Sequence, residues 1–377
     1  MFLADLGRYP PGRLSPFPMR LPVLLAATLL AVPALAQADG RLHDQGRAMT
    51  ERSPRADARL DALRPLLGTW DVAVTTFPTD STTHRATGQA EVTYMNRGYA
   101  YQERRVVADA APGRTDHAMS FLVFSPGPDR WALGEGRSET EHIEVYDGAL
   151  DGETLTLRTA VRRLGGTLLT FERVRYEMAD DAFTVAVETS TDDGATWASR
   201  EVRQYARRAD APALAVRADD GAPAEGLPAE ARQFDFLLGV WDAQHQLTYP
   251  NGQQVAFPTT ATASVVLGGH GILEHSWFDL DPNLPDASTS ILRLYNRAER
   301  RWESLYLTNR ANTLLDFGGA WEGDRMVLHS FDTRLGDTIS RFVFHDIEPD
   351  HYLWFAESST DRGATFATTW TIDVTRR

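Results

Sequence analysis

The imidazoles are the first place to look for chemistry in this 377-residue chain: His43, His84, His117, His142, His245, His270, His275, His329, His345 and His351. None falls in a His-Glu-x-x-His string, and His270 and His275 stand five apart around Gly271, which gives no helical ligand pair. The chain has no cysteine, which excludes disulfides, thiolate metal sites, iron–sulfur clusters and a thiol nucleophile. All 38 basic residues are arginine, so Schiff-base and phosphate-loop lysines are excluded as well. No Gly-x-Ser-x-Gly elbow is present. The acidic stretches Asp109–Asp116 and Asp279–Asp286 lack calcium-loop spacing and read as loops. A net charge of −14 without a basic run excludes nucleic acid as a partner, because phosphate contacts need clustered positive charge.

The residues around these candidates form one pattern written twice. Leu66-Leu67-Gly68-Thr69-Trp70-Asp71 recurs 171 positions later as Leu237-Leu238-Gly239-Val240-Trp241-Asp242. Trp131 answers Trp302 at the same offset, and Ser190–Trp197 answers Ser359–Phe366 at 169. Two homologous lobes are predicted, 58–208 and 230–377, joined by an Ala-, Asp-, Gly- and Pro-rich linker over 209–229.

Inside each lobe the hydrophobic period is two. Trp70, Val72 and Val74 alternate with polar or small residues, as do Val174, Tyr176 and Met178, and Phe183, Val185 and Val187. This is the pattern of antiparallel strands with one buried face. Asp147-Gly148, Asp151-Gly152 and Asp193-Gly194 mark closely spaced turns. The expected fold is all-β: two tandem antiparallel barrels of about eight to ten strands each. A short helix leads each barrel, over Ala56–Leu67 and Ala229–Leu238. Glu188 and Glu357 recur between lobes, and parity puts Glu188 on an outer face as a hairpin contact.

Comparing the lobes singles out the second. His245 stands where the first lobe has Val74, and it shares parity with Trp241, Ala243 and Leu247. Arg293 stands where the first lobe has Leu122, with Leu292 and Leu294 as the alternative inward pair. Tyr101-Gln102-Glu103 corresponds roughly to Leu273-Glu274-His275. A polar group inside an aromatic cup is the usual make-up of a small-molecule pocket. Trp241, His245, Tyr249, Glu274, Arg293 and Trp354 are therefore the candidate ligand-binding residues. The second lobe is expected to bear the ligand, and the first to be its better-packed support.

A short helix followed by Gly-x-Trp entering the first strand, at Gly68-Thr69-Trp70 and Gly239-Val240-Trp241, resembles the lipocalins and the wider calycin group. The longer string Phe234–Asp242 resembles a family of exported bacterial lipocalin-like domains of unknown function. Ser190–Trp197 and Ser359–Phe366 resemble the Asp-box, a structural β-hairpin. The resemblance implies tandem lipocalin-like barrels.

Leu21–Ala36 is an apolar stretch after Arg20, closed by Ala34-Leu35-Ala36, and it predicts a secretory signal peptide over 19–38. Residues 1–18 read as an over-extended start. The expected protein is exported to the periplasm or beyond, has no cofactor and inserts into no membrane after signal removal. It binds a small apolar or amphipathic molecule. Two alternatives are a cofactor-free lyase, isomerase or hydratase using His245 with a nearby carboxylate, and a structural, partner-binding protein.

Overall fold

The computed structural model describes residues 51–78, 82–108, 115–162, 169–208, 222–249, 251–278, 287–309, 312–330 and 339–377. The expected start, signal peptide and cleavage site lie outside the described residues. So do 209–221 of the expected linker and most of the two acidic stretches.

Twenty strands make two closed antiparallel barrels of ten. The first contains β1 (Gly68–Thr76), β2 (His84–Met95), β3 (Ala100–Ala108), β4 (Thr115–Ser125), β5 (Arg130–Arg137), β6 (His142–Asp151), β7 (Thr154–Arg162), β8 (Leu169–Met178), β9 (Ala182–Ser190) and β10 (Ala198–Arg207). The second contains β11 (Gly239–Thr248), β12 (Gln254–Val266), β13 (Gly271–Trp277), β14 (Ser288–Asn296), β15 (Arg301–Thr308), β16 (Thr313–Glu322), β17 (Arg325–Ser330), β18 (Ile339–Glu348), β19 (His351–Ser359) and β20 (Ala367–Arg376). Each strand pairs with its chain neighbours, and β1 with β10 and β11 with β20 close the rings, so neither sheet keeps an open edge. The leading segments are 3-10 turns, Ala58–Leu66 in the first lobe and Ala229–Arg232 and Asp235–Leu237 in the second.

Each leading segment plugs one barrel end. Leu60, Leu63 and Leu66 are buried under Trp70, whose indole donates to Leu66 O at 2.9 Å. Trp241 repeats this with Leu237 O at 2.6 Å. An arginine from the last strand caps each indole: Arg207 lies 4.2 Å over Trp70 and Arg376 lies 4.0 Å over Trp241. The glycine before each tryptophan is required on two counts. Gly68 and Gly239 have φ of +134° and +116°, and a Cβ there would meet the guanidinium of Arg207 at 2.6 Å or of Arg376 at 2.9 Å.

The hairpin turns after β9 and β19 are built alike. Asp192 accepts from the Thr196 amide at 2.9 Å and its hydroxyl at 2.5 Å, while Asp361 accepts from Thr365 at 2.9 and 2.7 Å. Glu188 pairs with Arg173 at 2.6 Å, and Arg173 stacks on Trp197; Glu357, Arg341 and Phe366 repeat the arrangement. Both repeated glutamates thus hold a hairpin.

The barrels pack side by side in an approximately two-fold arrangement: β4 meets β16 as β14 meets β6, and β5 meets β16 as β15 meets β6. Phe121, Val123 and Ile143 pack against Leu292, Leu294, Leu305 and Leu307 in one apolar cluster. This settles the alternative at β14: Leu292 and Leu294 face the neighbouring barrel and Arg293 faces inward. Gly134 makes the approach possible, since a Cβ there would lie 2.4 Å from a Leu305 methyl.

Glu303 is the polar centre of this interface. It accepts from His142 Nδ1 at 2.7 Å, from the Ile143 amide at 2.8 Å and from Asn296 at 3.0 Å. Burial alone would lower the His142 pKa and raise that of Glu303, but their mutual attraction outweighs it and moves each the other way. The His142 contribution is therefore present below its ordinary 6.5 and lost as pH rises through its raised value. The Glu303 contribution is present above its ordinary 4.5 and lost as pH falls through its depressed value. Solvent screens the pair, because the His142 side chain is 37% exposed. Melting temperature is expected to fall between pH 6 and pH 8 by a small increment that His142→Ala removes. An unchanged slope in that variant would contradict the assignment.

Candidate functional site

Both barrel interiors are apolar at the plugged end and polar beyond it, but they spend the polar space differently. In barrel 1 the inward positions of β3, β5 and β10 carry Glu103 and Arg105, Glu135 and Arg137, and Glu201 and Arg203. Arg105 reaches Glu103 at 2.9 Å and Glu135 at 3.3 Å. Arg203 grips Glu135 through two 2.8 Å bonds and also pairs with Glu201. Arg137 bridges Glu201 at 3.0 Å and Asp116 at 2.6 Å. Asp116, expected in a loop, is the second residue of β4. Burial would raise the Glu135 carboxyl, but Arg203 and Arg105 outweigh it and hold it well below the usual range. Glu201 is likewise held at about 2 against burial by Arg203 and Arg137. Tyr205 donates to Glu103 at 2.7 Å. Each of the six inward Glu and Arg side chains has a partner within the network.

Sequence reasoning missed this network, and the expected support lobe has the more charged interior. A signal was present: Glu-x-Arg occurs on three strands, and a spacing of two puts both ends on one face.

Barrel 2 replaces five of these six positions and keeps a glutamate at the sixth. The strand registers align Arg105 with Ser276, Glu135 with Tyr306, Arg203 with Ile372 and Glu201 with Trp370. They also align Glu103 with Glu274, one residue away from the rough correspondence expected from sequence. The exchange of a salt network for smaller or flat side chains leaves a cavity of about 50 Å³, lined by Ala243, His245, Ala261, Glu274, Ser276, Thr289, Arg293, Trp354 and Trp370 among others.

Four of the six predicted site residues line this cavity: His245, Glu274, Arg293 and Trp354. Trp241 sits beyond its floor in the plug, edge-on to Tyr352. Tyr249 lies past the end of β11, where its amide and carbonyl close a turn with Gln253 and Gly252. At the floor, Arg293 pairs with Glu274 at 2.7 Å and lies over the rings of Phe234 and Phe344. Toward the mouth, His245 stacks on Phe257 with Phe278 and Trp370 beside it. The Trp370 indole can only donate, and it reaches His245 Nδ1 at 3.1 Å; Nε2 therefore carries the proton and faces Thr259 Oγ1 at 2.6 Å. His245 is a neutral imidazole engaged at both nitrogens.

Thr289 and Arg293 line the cavity, and their Oγ1 and Nε, buried away from its open space, have no hydrogen-bond partner among the described residues. A wider concavity, of about 1000 Å³, lies on the outer face of β9, β10, β1, β2 and β3. Among the described residues its lining has Asp71 as its one charged residue. Among the described residues, no group of three or more His, Asp or Glu is placed to hold a metal ion, and no helix is long and apolar enough to cross a membrane.

The fold and site define a tandem pair of closed ten-stranded antiparallel barrels, one with ion pairs inside and one left with an aromatic cavity. No protein-family model matches the chain, and no curated protein matches it in sequence. Among solved structures it is similar to Rv2717c from M. tuberculosis, with 16% identity, a TM-score of 0.30, and coverage of 41% of this chain and 99% of that one. A DUF3598-family protein of unknown function from Nostoc punctiforme shares 12% identity at a TM-score of 0.25, over 85% of this chain and 100% of that one. A mutant of transferrin binding protein B from Haemophilus parasuis shares 8% identity at a TM-score of 0.16, over 82% and 76%.

Proposed function

We propose that this is an exported binding protein whose second barrel takes up a small, mainly apolar molecule. One observation carries the reading: where barrel 1 packs its interior with arginine–glutamate pairs, barrel 2 leaves a cavity walled by Trp354, Trp370, Phe344 and Tyr306. Close packing is the rule for interiors, and an aromatic cavity with a few convergent polar groups is the form that ligand sites take. The engagement of both His245 nitrogens favours binding over the alternative acid–base chemistry, because a proton shuttle needs a nitrogen available to the substrate. Export rests on the apolar stretch Leu21–Ala36, and exported material is expected to begin at Gln37 or Asp39 on N-terminal sequencing.

Gently purified protein is expected to carry a small-molecule adduct in native mass spectrometry. Ala261 lines the cavity, so Ala261→Leu should fill it and eliminate the adduct while the barrel stays folded. An adduct retained undiminished in folded Ala261→Leu would place the ligand elsewhere. Absence of any adduct, together with tryptophan fluorescence indifferent to apolar compounds, would refute the binding reading.

A further inference from the structure

We infer that the barrel 2 cavity is a slot for a single aromatic ring. Its occupant lays the face of a benzene-like ring along Ala243 and Ala261 and meets Trp354 and Trp370 on its other side. The inference rests on the binding reading above and adds the chemical class of the ligand.

Three observations lead there. The first is where barrel 2 has lost bulk. The strand registers set Val72, Tyr205 and Arg105 of barrel 1 against Ala243, Val374 and Ser276 of barrel 2. Ala243 stands opposite Val374 across β11 and β20, Ala261 stands opposite Ser276 across β12 and β13, and β11 pairs with β12. All four residues line the cavity, so they form one stretch of wall on four adjacent strands. Short side chains on a pleated sheet leave an even, shallow surface.

The second is where barrel 2 has gained rings. Val185, Glu135 and Glu201 of barrel 1 become Trp354, Tyr306 and Trp370, and these three line the same cavity. Interiors are close-packed as a rule, so bulk lost on one wall is ordinarily made good from another. Here three rings are added, and about 50 Å³ still stands open with both sets of residues in its lining.

The third is how the rings are set. Trp354 and Trp370 stand at 86° to each other with centroids 5.5 Å apart. A guest stacked on the face of one indole therefore meets the edge of the other. An indole has a negative face and a positive edge, and a second π-system answers both, whereas a saturated ring answers neither. The open volume holds a few heavy atoms. A ring enters by moving Trp370, which is part-exposed where Trp354 is buried.

The test compares toluene with methylcyclohexane, which share a carbon skeleton and differ in aromaticity, on the full chain with labelled alanine methyl groups. Each affinity is divided by the probe's partition ratio from water into alkane. On that scale toluene is expected to bind roughly two- to tenfold more tightly, the value of one aromatic pair beyond the area it buries. Its ring current should also move the Ala243 and Ala261 methyl signals upfield. Val374→Tyr returns the barrel 1 residue to the wall and should abolish toluene binding. Ala243→Val, the milder return, should weaken it about tenfold or more, as extra methyl groups in an apolar pocket do. Methylcyclohexane equalling or exceeding toluene would overturn the inference and leave the binding reading standing. Toluene bound with both methyl signals unmoved, or bound undiminished by the folded variants, would overturn it as well. If Val374→Tyr does not fold, Ala243→Val and the methyl signals decide. Should neither probe bind, a native adduct on the same protein would overturn the inference alone, and the lack of one would sink the binding reading itself.

Discussion

Glu135→Gln is expected to cost about 3–5 kcal/mol of stability, the usual loss on removing one partner from a buried ion pair. The substitution keeps the volume of the side chain and removes its charge. Glu135 is the hub of barrel 1, accepting two 2.8 Å bonds from Arg203 and a third at 3.3 Å from Arg105. Both guanidiniums are nearly free of solvent, at 2% and 4% side-chain exposure. Losing the carboxylate leaves two cations close together, with Glu103 and Glu201 as their remaining partners. Urea unfolding of the variant checks this, and a loss below about 1 kcal/mol would mean the network rearranges at little cost. The same hub predicts acid sensitivity. The Glu135 and Glu201 carboxyls are held below their ordinary 4.5, so their contribution is complete above that value and is lost as pH falls toward 2.

Trp241→Ala is expected to lower stability by about 3–5 kcal/mol, the range for deleting a large buried aromatic side chain. Its indole is 1% exposed, donates to Leu237 O at 2.6 Å, meets Tyr352 edge-on and lies under the Arg376 guanidinium. The loss therefore includes an unpartnered carbonyl at the plug and an uncovered cation, as well as a cavity. Trp241 is not in the cavity wall, so the cost should appear in thermal and urea unfolding whether or not a ligand is present. A variant that retains its melting temperature would show that the plug contributes little.

The strand alternation and the 171-residue repeat sufficed for two all-β lobes, their leading segments and the matched tryptophans, because inward and outward faces differ sharply along β1 and the second half of β8. The reading was weaker where that contrast fails. β4, β5, β14 and β15 are buried on both faces. Along Leu292-Arg293-Leu294, alternation therefore could not say which set faces the barrel lumen. The partner surface that buries the leucines comes from the other lobe and leaves no local mark. Four of the six candidate site residues reached one cavity because His245 and Arg293 were found by comparing lobes, which cancels shared structural demands. Tyr249 failed because β11 ends one residue before it. The ion network of barrel 1 was dispersed over strands tens of residues apart, and only the Glu-x-Arg spacing hinted that its members share a face.

The two-fold relation between the barrels has a consequence for what each half would be alone. β4–β6 and β14–β16 present matching patches to each other, so a lobe separated from its neighbour exposes a belt of Leu292, Leu294, Leu305 and Leu307, or of Phe121, Val123 and Ile143. A self-complementary patch of that kind recruits a second copy of itself. Gene halves expressed singly should behave as adhesive monomers that dimerise through the face normally shared within one chain, and mixing the two halves should favour the hetero-pair. Tethering thus replaces a concentration-dependent assembly by an intramolecular one, and it leaves the two lumens free to diverge, one toward salt and one toward space.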